Sequence, residues 1–165
     1  MSIKPTLYII RGLPGSGKST LGVKLCGEGN TFAANDYFED DTGVYNFDPT
    51  RLKDAHAWCQ WAVGFALNNI ARDIARAKPS PRDLLPPEAS WFERLATPGQ
   101  LSTVIDIAVC NTFSQQWEID PYLAIAKEYD AIVVIIECQS DFGSTHDVPQ
   151  HSIDRMRQRW EPVQA

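Results

Sequence analysis

A glycine-rich segment near the start of the chain constrains the fold more than any other feature of the sequence. It reads Gly-Leu-Pro-Gly-Ser-Gly-Lys-Ser over residues 12–19, directly after the apolar run 7–10 and before a run that is compatible with a helix. The segment matches the pattern Gly-x-x-x-x-Gly-Lys-Ser/Thr, which joins a strand to a helix around a bound phosphate. Glycines allow positive φ and a close approach of the backbone, so that successive N–H groups converge on phosphate oxygens. The sequence therefore predicts a site for the phosphates of ATP or GTP between a first strand and a first helix.

The residues of this segment each suit a bound triphosphate. The helix that follows presents free N–H groups and the positive end of its dipole to the anion. Lys18 is expected to reach the β and γ phosphates, and the Ser19 hydroxyl is expected to ligate Mg²⁺. A glycine-rich turn that matches by chance is the alternative, and the flanking strand and helix patterns argue against it. The predicted nucleotide-binding residues are Gly12, Pro14, Gly15, Ser16, Gly17, Lys18, Ser19 and Thr20.

The rest of the chain alternates strand patterns with helix patterns. Strands are predicted at 6–11, 31–35, 103–109 and 131–136, and helices at 19–27, from 48 onward and at 150–160. Another helix follows residue 113; its start is not defined, but it is clear over 121–129. The last strand is a continuous apolar run, which is typical of a strand buried on both faces of a parallel sheet. This alternation predicts a single three-layer α/β domain over residues 1–165, with helices on both faces of a parallel sheet and the ligand at the carboxyl ends of its strands.

The long helix that begins at Asp48 and Pro49 is apolar on two sides. Asp as N-cap and Pro at the first helical position form a strong helix start. Residues 78–100 hold five of the eleven prolines and are predicted to form an insertion, with one short helix, that covers the outer side. Alternatively, the outer aromatic residues are open and stack on nucleic-acid bases. The inner side is formed by Leu52, Ala55, Cys59, Val63, Ala66, Ile70 and Ile74, and the outer side by Trp58, Trp61 and Phe65.

Composition excludes several classes of protein. With 165 residues, of which 44% are hydrophobic and 22% charged, the chain is long enough for one core. A net charge of −6 argues against a protein that coats nucleic acid by charge alone, although a nucleic-acid end in a local pocket is compatible with it. The cysteines include no Cys-x-x-Cys pair, which favours reduced thiols over a zinc or disulfide framework. With neither a signal-like start nor an apolar stretch of 18 residues in the sequence, we expect a soluble cytoplasmic protein that does not enter a membrane.

Polar residues that follow the predicted strands are the candidates for chemistry. Asp36 could accept the proton of an acceptor hydroxyl or hold the Mg²⁺ shell, and a loop or capping aspartate is the alternative. Asn111 and Thr112 could hydrogen-bond substrate or metal-bound water, but both residue types also form turns. His56, on the inner side of the long helix, is either a core histidine or a substrate contact.

The last helix carries three arginines beyond a polar loop. Residues 139–150 are predicted to form a lid, and Arg155, Arg157 and Arg159 follow it. Guanidinium groups on a lid suit the transfer of a phosphoryl group, whereas surface arginines of an amphipathic helix give the same pattern. Because Arg155 and Arg159 share one face, one of these two is the predicted catalytic clamp.

Short motifs follow the phosphate loop in an order that resembles a known family. They are Asn35-Asp36-Tyr37-Phe38, Tyr45-Asn46-Phe47-Asp48, Ala55-His56-Ala57-Trp58-Cys59-Gln60, Asn111-Thr112-Phe113, Trp117-Glu118-Ile119, Pro121-Tyr122 and His146-Asp147-Val148-Pro149. Over nearly its whole length the chain resembles the polynucleotide-kinase-like branch of P-loop ATPases, related to the kinase domain of bacteriophage polynucleotide kinase. The resemblance implies a kinase-like P-loop NTPase fold, ATP binding with Mg²⁺, and γ-phosphate transfer to the 5′-hydroxyl of a polynucleotide or a related acceptor. The predicted substrate residues are Asn35, Tyr37, His56, Asn111 and Thr112.

The chain departs from this family at positions that bear on catalysis. Asn35 stands where the family has the aspartate that acts as base, so that Asp36 is the predicted substitute. Cys110 stands in place of an aspartate at the end of the third strand, and Gly143 lies near the place of a lid arginine. These departures leave a second function open, namely a nucleotide-binding module that has lost kinase chemistry and recruits a protein partner through residues 78–100.

Overall fold

The computed structural model describes residues 3–76, 106–144 and 146–164. The strands and α-helices of these ranges are β1 (Thr6–Gly12), α1 (Lys18–Cys26), β2 (Thr31–Phe32), α2 (Leu52–Arg76), β3 (Asp106–Asn111), α3 (Gln116–Glu128), β4 (Ile132–Cys138) and α4 (Gln150–Gln158). Three short 3₁₀ helices span Glu28–Asn30, Ala34–Phe38 and Pro49–Arg51. The predicted insertion at 78–100 and residues 103–105 of the predicted third strand lie outside the described residues.

The four described strands form one parallel sheet in the order β2-β3-β1-β4. Strand β1 is central, and Ile9 is paired in register with Val109 of β3 and with Ile135 of β4. The helices between the strands act as crossovers, which parallel strands require. The predicted α/β class with a parallel sheet is therefore confirmed.

Side chains of β1 alternate between two packed layers. Leu7 and Ile9 are fully buried in the larger apolar cluster, which also contains residues of α2 and α3. Ile10 is buried in a smaller cluster with Cys26, the last residue of α1. Because successive strand residues point to opposite faces, α1 covers one face of the sheet and α2 and α3 cover the other.

Strand β4 differs from its prediction as a strand buried on both faces. It lies at one edge of the described sheet, paired only with β1, and Ile132 is 51% exposed. The other residues of β4 are half-buried, except for the exposed Glu137. A continuous apolar run does not distinguish a central strand from an edge strand, because periodicity reports which side chains are apolar and not where the neighbouring strands lie.

The other differences are confined to the ends of elements and to one side of α2. Strand β2 stops at Phe32 because the chain turns into the 3₁₀ helix Ala34–Phe38. Helix α3 begins at Gln116, before Pro121, because the Glu118 carboxylate accepts hydrogen bonds from the Gln115 amide at 2.9 Å and the Ser114 hydroxyl at 3.0 Å. The buried side of α2 includes Ala55, Cys59, Val63, Leu67 and Ile70, whereas Leu52 is 39% exposed.

Across the described parts of the chain, none of the helices has both the length and the apolar character that crossing a membrane requires.

Candidate functional site

The candidate site lies where the parallel strands end. The segment after β1 carries the glycine-rich loop, β3 ends at Asn111, and β4 leads into residues 139–149. Because the carboxyl ends of parallel strands meet at one edge of the sheet, these three connections are brought together. The structure thus places the predicted phosphate loop, the end of the third strand and the predicted lid side by side.

The backbone of the phosphate loop needs glycine at two positions. Gly15 has φ +81° and Gly17 has φ +87°, both in the left-handed region. A Cβ atom at Gly15 would lie 2.7 Å from the carbonyl carbon of Gly143, so the backbone of the predicted lid touches the loop directly. The Phe142 amide also donates a hydrogen bond to the Gly15 carbonyl, with an N···O distance of 2.8 Å.

Two polar side chains of the loop, Lys18 and Ser16, have surroundings that bear on what the loop can bind. The Lys18 ammonium donates to the carbonyl oxygen of Leu13 at 3.0 Å, which folds the side chain back across the loop. Burial lowers the pKa of Lys18, while Cys110 and Cys138 act in the opposite direction. The Ser16 hydroxyl is buried, and its oxygen has no hydrogen-bond partner within the described ranges. A buried hydroxyl without a partner is unfavourable, so this loop fits an incoming group rich in hydrogen-bond acceptors, such as phosphate.

Helix α1 begins at Lys18, with Gly17 of the loop as its N-cap. Its N-terminal turn contains no acidic residue, and no side chain in the described part of the chain caps it. The free N–H groups and the helix dipole therefore remain available to an anion. Ser19 and Thr20, in this first turn, are exposed.

Ser19 and Asp36 line the same cleft, as a shared role in metal binding requires. The cleft has a volume of about 390 Å³. Its described lining also includes Glu28, Glu39 and Asp40 and contains no lysine or arginine. A nearby cation or a metal-bound phosphate would lower the repulsion among these carboxylates.

Asp36 is held by its own backbone turn. Its Oδ2 accepts a hydrogen bond from the Ala33 amide at 2.7 Å. Loss of hydration raises the pKa of Asp36; the Ala33 amide lowers it, Glu39 raises it and His146 lowers it, in decreasing order of effect. A carboxylate with a raised pKa is a better proton acceptor than an ordinary aspartate.

A second cleft of about 450 Å³ separates the phosphate loop from α4. Leu13, Pro14 and Ser16 line one side, and Arg157 lines the other. Arg155 and Arg159, the predicted clamps, are not among its lining residues. Arg159 instead donates to the Ser114 hydroxyl at 2.9 Å. The structure therefore puts Arg157 in the lining of the cleft beside the loop, while the clamp role of the other two stays a prediction.

The predicted substrate residues are distributed over different surroundings. Asn111 is buried, and its Oδ1 accepts the Ala34 amide at 2.8 Å, which fixes the 3₁₀ helix that carries Asn35 and Asp36. Its Nδ2 donates to the Cys59 sulfur at 3.8 Å. Asn111 thus has a structural role that its interpretation as a substrate contact did not anticipate.

The remaining predicted substrate residues are not among the described lining residues of either cleft. The Thr112 carbonyl accepts the Gly12 amide at 3.3 Å, which ties β3 to the start of the loop. The Tyr37 hydroxyl accepts a hydrogen bond from Arg51. The Tyr37 ring packs beside the Trp58 ring, with the two ring centroids 6.2 Å apart. His56 is half-buried on α2, and burial lowers its pKa. Asn35 is exposed.

Two aromatic contacts at the site were not predicted. The Phe142 ring lies against Gly17, 3.1 Å from where a Cβ atom would be, although the residue is 78% exposed. His146 stacks on Tyr45 with ring centroids 4.3 Å apart. Both residues of the second contact belong to motifs of the family resemblance, so the sequence marks each of them as a residue of interest. It gives no indication that the two side chains meet.

Cys110 lies beneath the loop and is neutral at physiological pH. Its thiol donates to the Lys18 carbonyl at 3.4 Å, and burial raises its pKa to about 12. A neutral thiol takes neither the proton of an acceptor nor a metal ion in the way that a carboxylate does. Nor do the described residues form any cluster of three or more histidine, cysteine, aspartate or glutamate side chains able to hold a metal ion. A Mg²⁺ ion here would depend on phosphate oxygens, with Ser19 as a protein ligand and Asp36 at its hydration shell.

Comparisons with known proteins show distant likenesses. No family model matches the chain. Human NEDD4-binding protein 2 is 28% identical over 167 aligned positions, which cover 94% of this chain and 8% of that protein, so the chain spans a small part of this relative's length. A crystal structure of the AvrRxo1-ORF1:AvrRxo1-ORF2 complex matches with a TM-score of 0.43 and 17% identity, covering 81% of this chain and 37% of that one. The crystal structure of APE1195 matches with a TM-score of 0.42 and 16% identity, covering 99% of this chain and 83% of that one. Likenesses of this size do not establish a function.

Proposed function

We propose that the chain binds ATP, or GTP, with Mg²⁺ and transfers the γ-phosphoryl group to a hydroxyl acceptor, as a member of the polynucleotide-kinase-like P-loop proteins. The phosphate loop is the observation that carries this proposal. It combines left-handed glycines at 15 and 17, a folded-back Lys18 and a buried Ser16 hydroxyl that has no partner among the described residues. These features together suit the phosphates of a nucleotide better than a closed structural turn, which would satisfy its own polar groups.

Nucleotide binding uses the backbone amides of the loop and of the first turn of α1. The Lys18 ammonium exchanges its hydrogen bond to the Leu13 carbonyl for one to a phosphate oxygen, which is a stronger, charge-assisted partner. Arg157, which lines the second cleft together with residues of the loop, would contact the same phosphates. Ser19 would ligate Mg²⁺, which when bound neutralises phosphate charge during transfer. Asp36 would contact only the hydration shell of the ion, so that its carboxylate stays free to accept a proton.

Asp36 is the proposed base. Its partly desolvated carboxylate, with a raised pKa, accepts the proton of the acceptor hydroxyl as that oxygen attacks the γ-phosphorus. The bond from the γ-phosphorus to the bridging oxygen breaks, and the nucleoside diphosphate leaves. Neither neighbouring candidate can replace Asp36, because Asn35 has no basic oxygen and the Cys110 thiol stays protonated.

The favoured acceptor is the 5′-hydroxyl of a nucleic acid, and the family resemblance supports it. The cleft beside Ser19 is lined by Glu28, Asp36, Glu39 and Asp40, which repel the phosphate that follows a 5′-terminal nucleoside. A nucleic-acid acceptor would therefore reach Asp36 with its terminal hydroxyl while its phosphates stay outside the cleft.

Labelled ATP incubated with Mg²⁺ and 5′-hydroxyl DNA, 5′-hydroxyl RNA and free nucleosides tests the proposal. We expect label on at least one acceptor and none with Lys18→Ala. Binding of MgATP without transfer to any acceptor would contradict the kinase half of the proposal and leave the nucleotide site standing.

A second candidate function is a nucleotide-binding module without kinase chemistry that recruits a protein partner. The observation in its favour is the neutral Cys110 thiol at the end of β3, together with Asn35 in place of the family's base. Asn35→Asp separates the two functions. Transfer by the variant from an inert parent supports the module, whereas transfer by the parent itself contradicts it. Deletion of 78–100 with loss of a captured partner and unchanged ATP affinity would support the recruiting role.

A further inference from the structure

Arg11 is a buried cation that the proposed chemistry does not use. It lies in β1, immediately before the phosphate loop, and is 1% exposed. Burial of a guanidinium in a sheet is costly unless the charge is compensated. The partners of Arg11 therefore identify what this charge holds in place.

These partners come from both ends of the sequence. One terminal nitrogen, Nη2, donates to the carbonyl oxygens of Phe113 and Glu161, each at 2.8 Å. The guanidinium carbon lies 4.2 Å from the centroid of the Trp160 ring, as in a cation–π contact. The Glu137 carboxylate approaches the other terminal nitrogen at 3.6 Å. Arg11 thus fixes the residues that directly follow α4.

Further hydrogen bonds fix the same C-terminal segment to the start of α3. The Glu161 amide donates to the Ser114 carbonyl at 2.7 Å, and the Glu161 carboxylate accepts the Gln116 amide at 2.8 Å. The Arg159 side chain donates to the Ser114 hydroxyl. Residues 159–161 are therefore anchored to β1 and to α3, while α4 leads away from this anchor.

Helix α4 ends at Gln158 and forms the wall of the second cleft opposite the phosphate loop. Arg157, in this wall, is exposed, and its one ion pair with a described residue is that of 3.6 Å with Asp154, on the same helix. An exposed ion pair of this kind holds an arginine weakly. The anchor at 159–161 follows Arg157 directly in the chain, so it limits where the C-terminal end of α4 lies.

We propose that Arg11 is a positioning residue for the nucleotide site, which through Trp160 and Glu161 holds Arg157 opposite the phosphate loop. This inference rests on the proposed nucleotide binding. A role in stability alone would give Arg11 no coupling to Arg157, because the two side chains do not contact each other.

A double-mutant cycle with MgATP tests the positioning role. Arg157→Gln, Arg11→Met and the double variant are titrated by calorimetry at a temperature where each is folded by circular dichroism. Arg157→Gln is expected to weaken MgATP binding about tenfold, the loss of one charge-assisted hydrogen bond. Arg11→Met is expected to weaken it about as much, and the double variant no more than either single variant. Arg72→Met, the same change at an exposed arginine of α2, should leave MgATP affinity unchanged.

Each outcome of this experiment decides the matter. The positioning role is overturned if the loss of MgATP affinity in the double variant is the product of the two single losses, or if Arg11→Met binds MgATP as tightly as wild type. Either result leaves the nucleotide site standing. Absence of MgATP binding by the wild-type chain overturns the nucleotide site and the positioning role with it. If Arg11→Met does not fold, Trp160→Leu takes its place in the cycle, because it removes the ring contact and leaves the carbonyl bonds of Arg11 intact.

Discussion

At the scale of single residues, Lys18 connects loop geometry to ligand affinity. Its hydrogen bond to Leu13 keeps the ammonium above the loop at the cost of hydration. Burial lowers the pKa of Lys18, and a bound phosphate would raise it again, because an anion favours the charged form of the ammonium. The strength of nucleotide binding should therefore depend on this side chain more than on any surface lysine.

Lys18→Ala should weaken MgATP binding by about tenfold or more, since a charge-assisted hydrogen bond is lost. Isothermal titration calorimetry measures this change directly. Lys24→Ala is the matched control, because Lys24 is an exposed lysine in the last turn of the same helix. Equal affinities for the two variants would contradict the assignment of the loop.

Gly15→Ala should damage both the loop and its contact with residues 139–144. The φ of +81° costs an alanine about 1–2 kcal/mol, and the added Cβ would overlap the Gly143 backbone. Urea denaturation should show the loss of stability, and calorimetry a loss of MgATP binding. Gly29→Ala, where no atom lies within 4 Å of the new Cβ, should change neither property. Full MgATP affinity in Gly15→Ala would show that the loop does not need its left-handed backbone.

Asp36 makes the stability of the fold depend on pH. The pKa of Asp36 is raised in the folded state. As the pH rises from about 3.8, the Asp36 carboxyl therefore loses its proton in the unfolded chain before it does so in the folded chain. The free energy of unfolding falls over this pH range, until the folded state is deprotonated as well. Asp36→Asn removes the effect while keeping an oxygen that can accept the Ala33 amide. The variant should be at least as stable as wild type at pH 7, with the difference shrinking as the pH falls toward 3.8. A wild-type advantage that grows with pH in urea denaturation would reverse the sign of the pKa shift.

At the scale of elements, the position of the 3₁₀ helix Ala34–Phe38 depends on a side chain of strand β3. The buried Asn111, at the end of β3, accepts the Ala34 amide and so places Asp36 beside Ser19. A sequence pattern assigns a loop to this region but gives no indication of which side chain fixes it.

Asn111→Ala should lower the free energy of unfolding by about 1–3 kcal/mol, because it leaves the buried Ala34 amide without its partner. Urea denaturation measures the loss. Asn69→Ala, an exposed asparagine of α2, should cost much less. An unchanged unfolding free energy would return Asn111 to a role in substrate binding alone.

The order of elements could be predicted because each type has its own apolar period and end signals. Asp48 and Pro49 correctly indicate the start of the long helical region, and the N-terminal strand is confirmed over Thr6–Gly12. The start of α3 could not be predicted, since it depends on Glu118 capping a residue, Gln115, that rarely begins a helix. The edge position of β4 follows from strand pairing, which is a property of the whole sheet.

At the scale of the whole molecule, the choice among three arginines shows where prediction from sequence ends. Arg155, Arg157 and Arg159 alternate along one short segment, and any of them suits a phosphate. Contacts of the C-terminal segment with Arg11 and Ser114, far away in sequence, place Arg157 at the cleft. Such long-range contacts leave no trace in the local pattern of α4. The location of the site at the strand ends, by contrast, follows from the loop motif and the alternation of elements.

The charge of the whole chain bears on the acceptor. A net charge of −6 and four acidic residues in the cleft beside Ser19 oppose the approach of a polyanion. Proteins that hold single strands by their phosphates release counterions, and their affinity falls with salt by about 0.7 logarithmic units per phosphate contact and decade of salt. If a nucleic acid is the acceptor, only its terminal nucleoside should be gripped, and few phosphates should be neutralised.

The KM for a 5′-hydroxyl oligonucleotide should therefore change little with salt, with a logarithmic slope of at most about 1 between low and moderate NaCl. A free nucleoside at saturating MgATP is the control, because it has no phosphate and reports any effect of salt on the catalytic step. A slope above about 2 for the oligonucleotide alone would require several cationic phosphate contacts. Neither cleft supplies them, since Arg157 is the one lysine or arginine among their described lining residues. A steep slope would thus place the binding surface for the acceptor outside both clefts, whereas a shallow one supports recognition of the terminal nucleoside at Asp36.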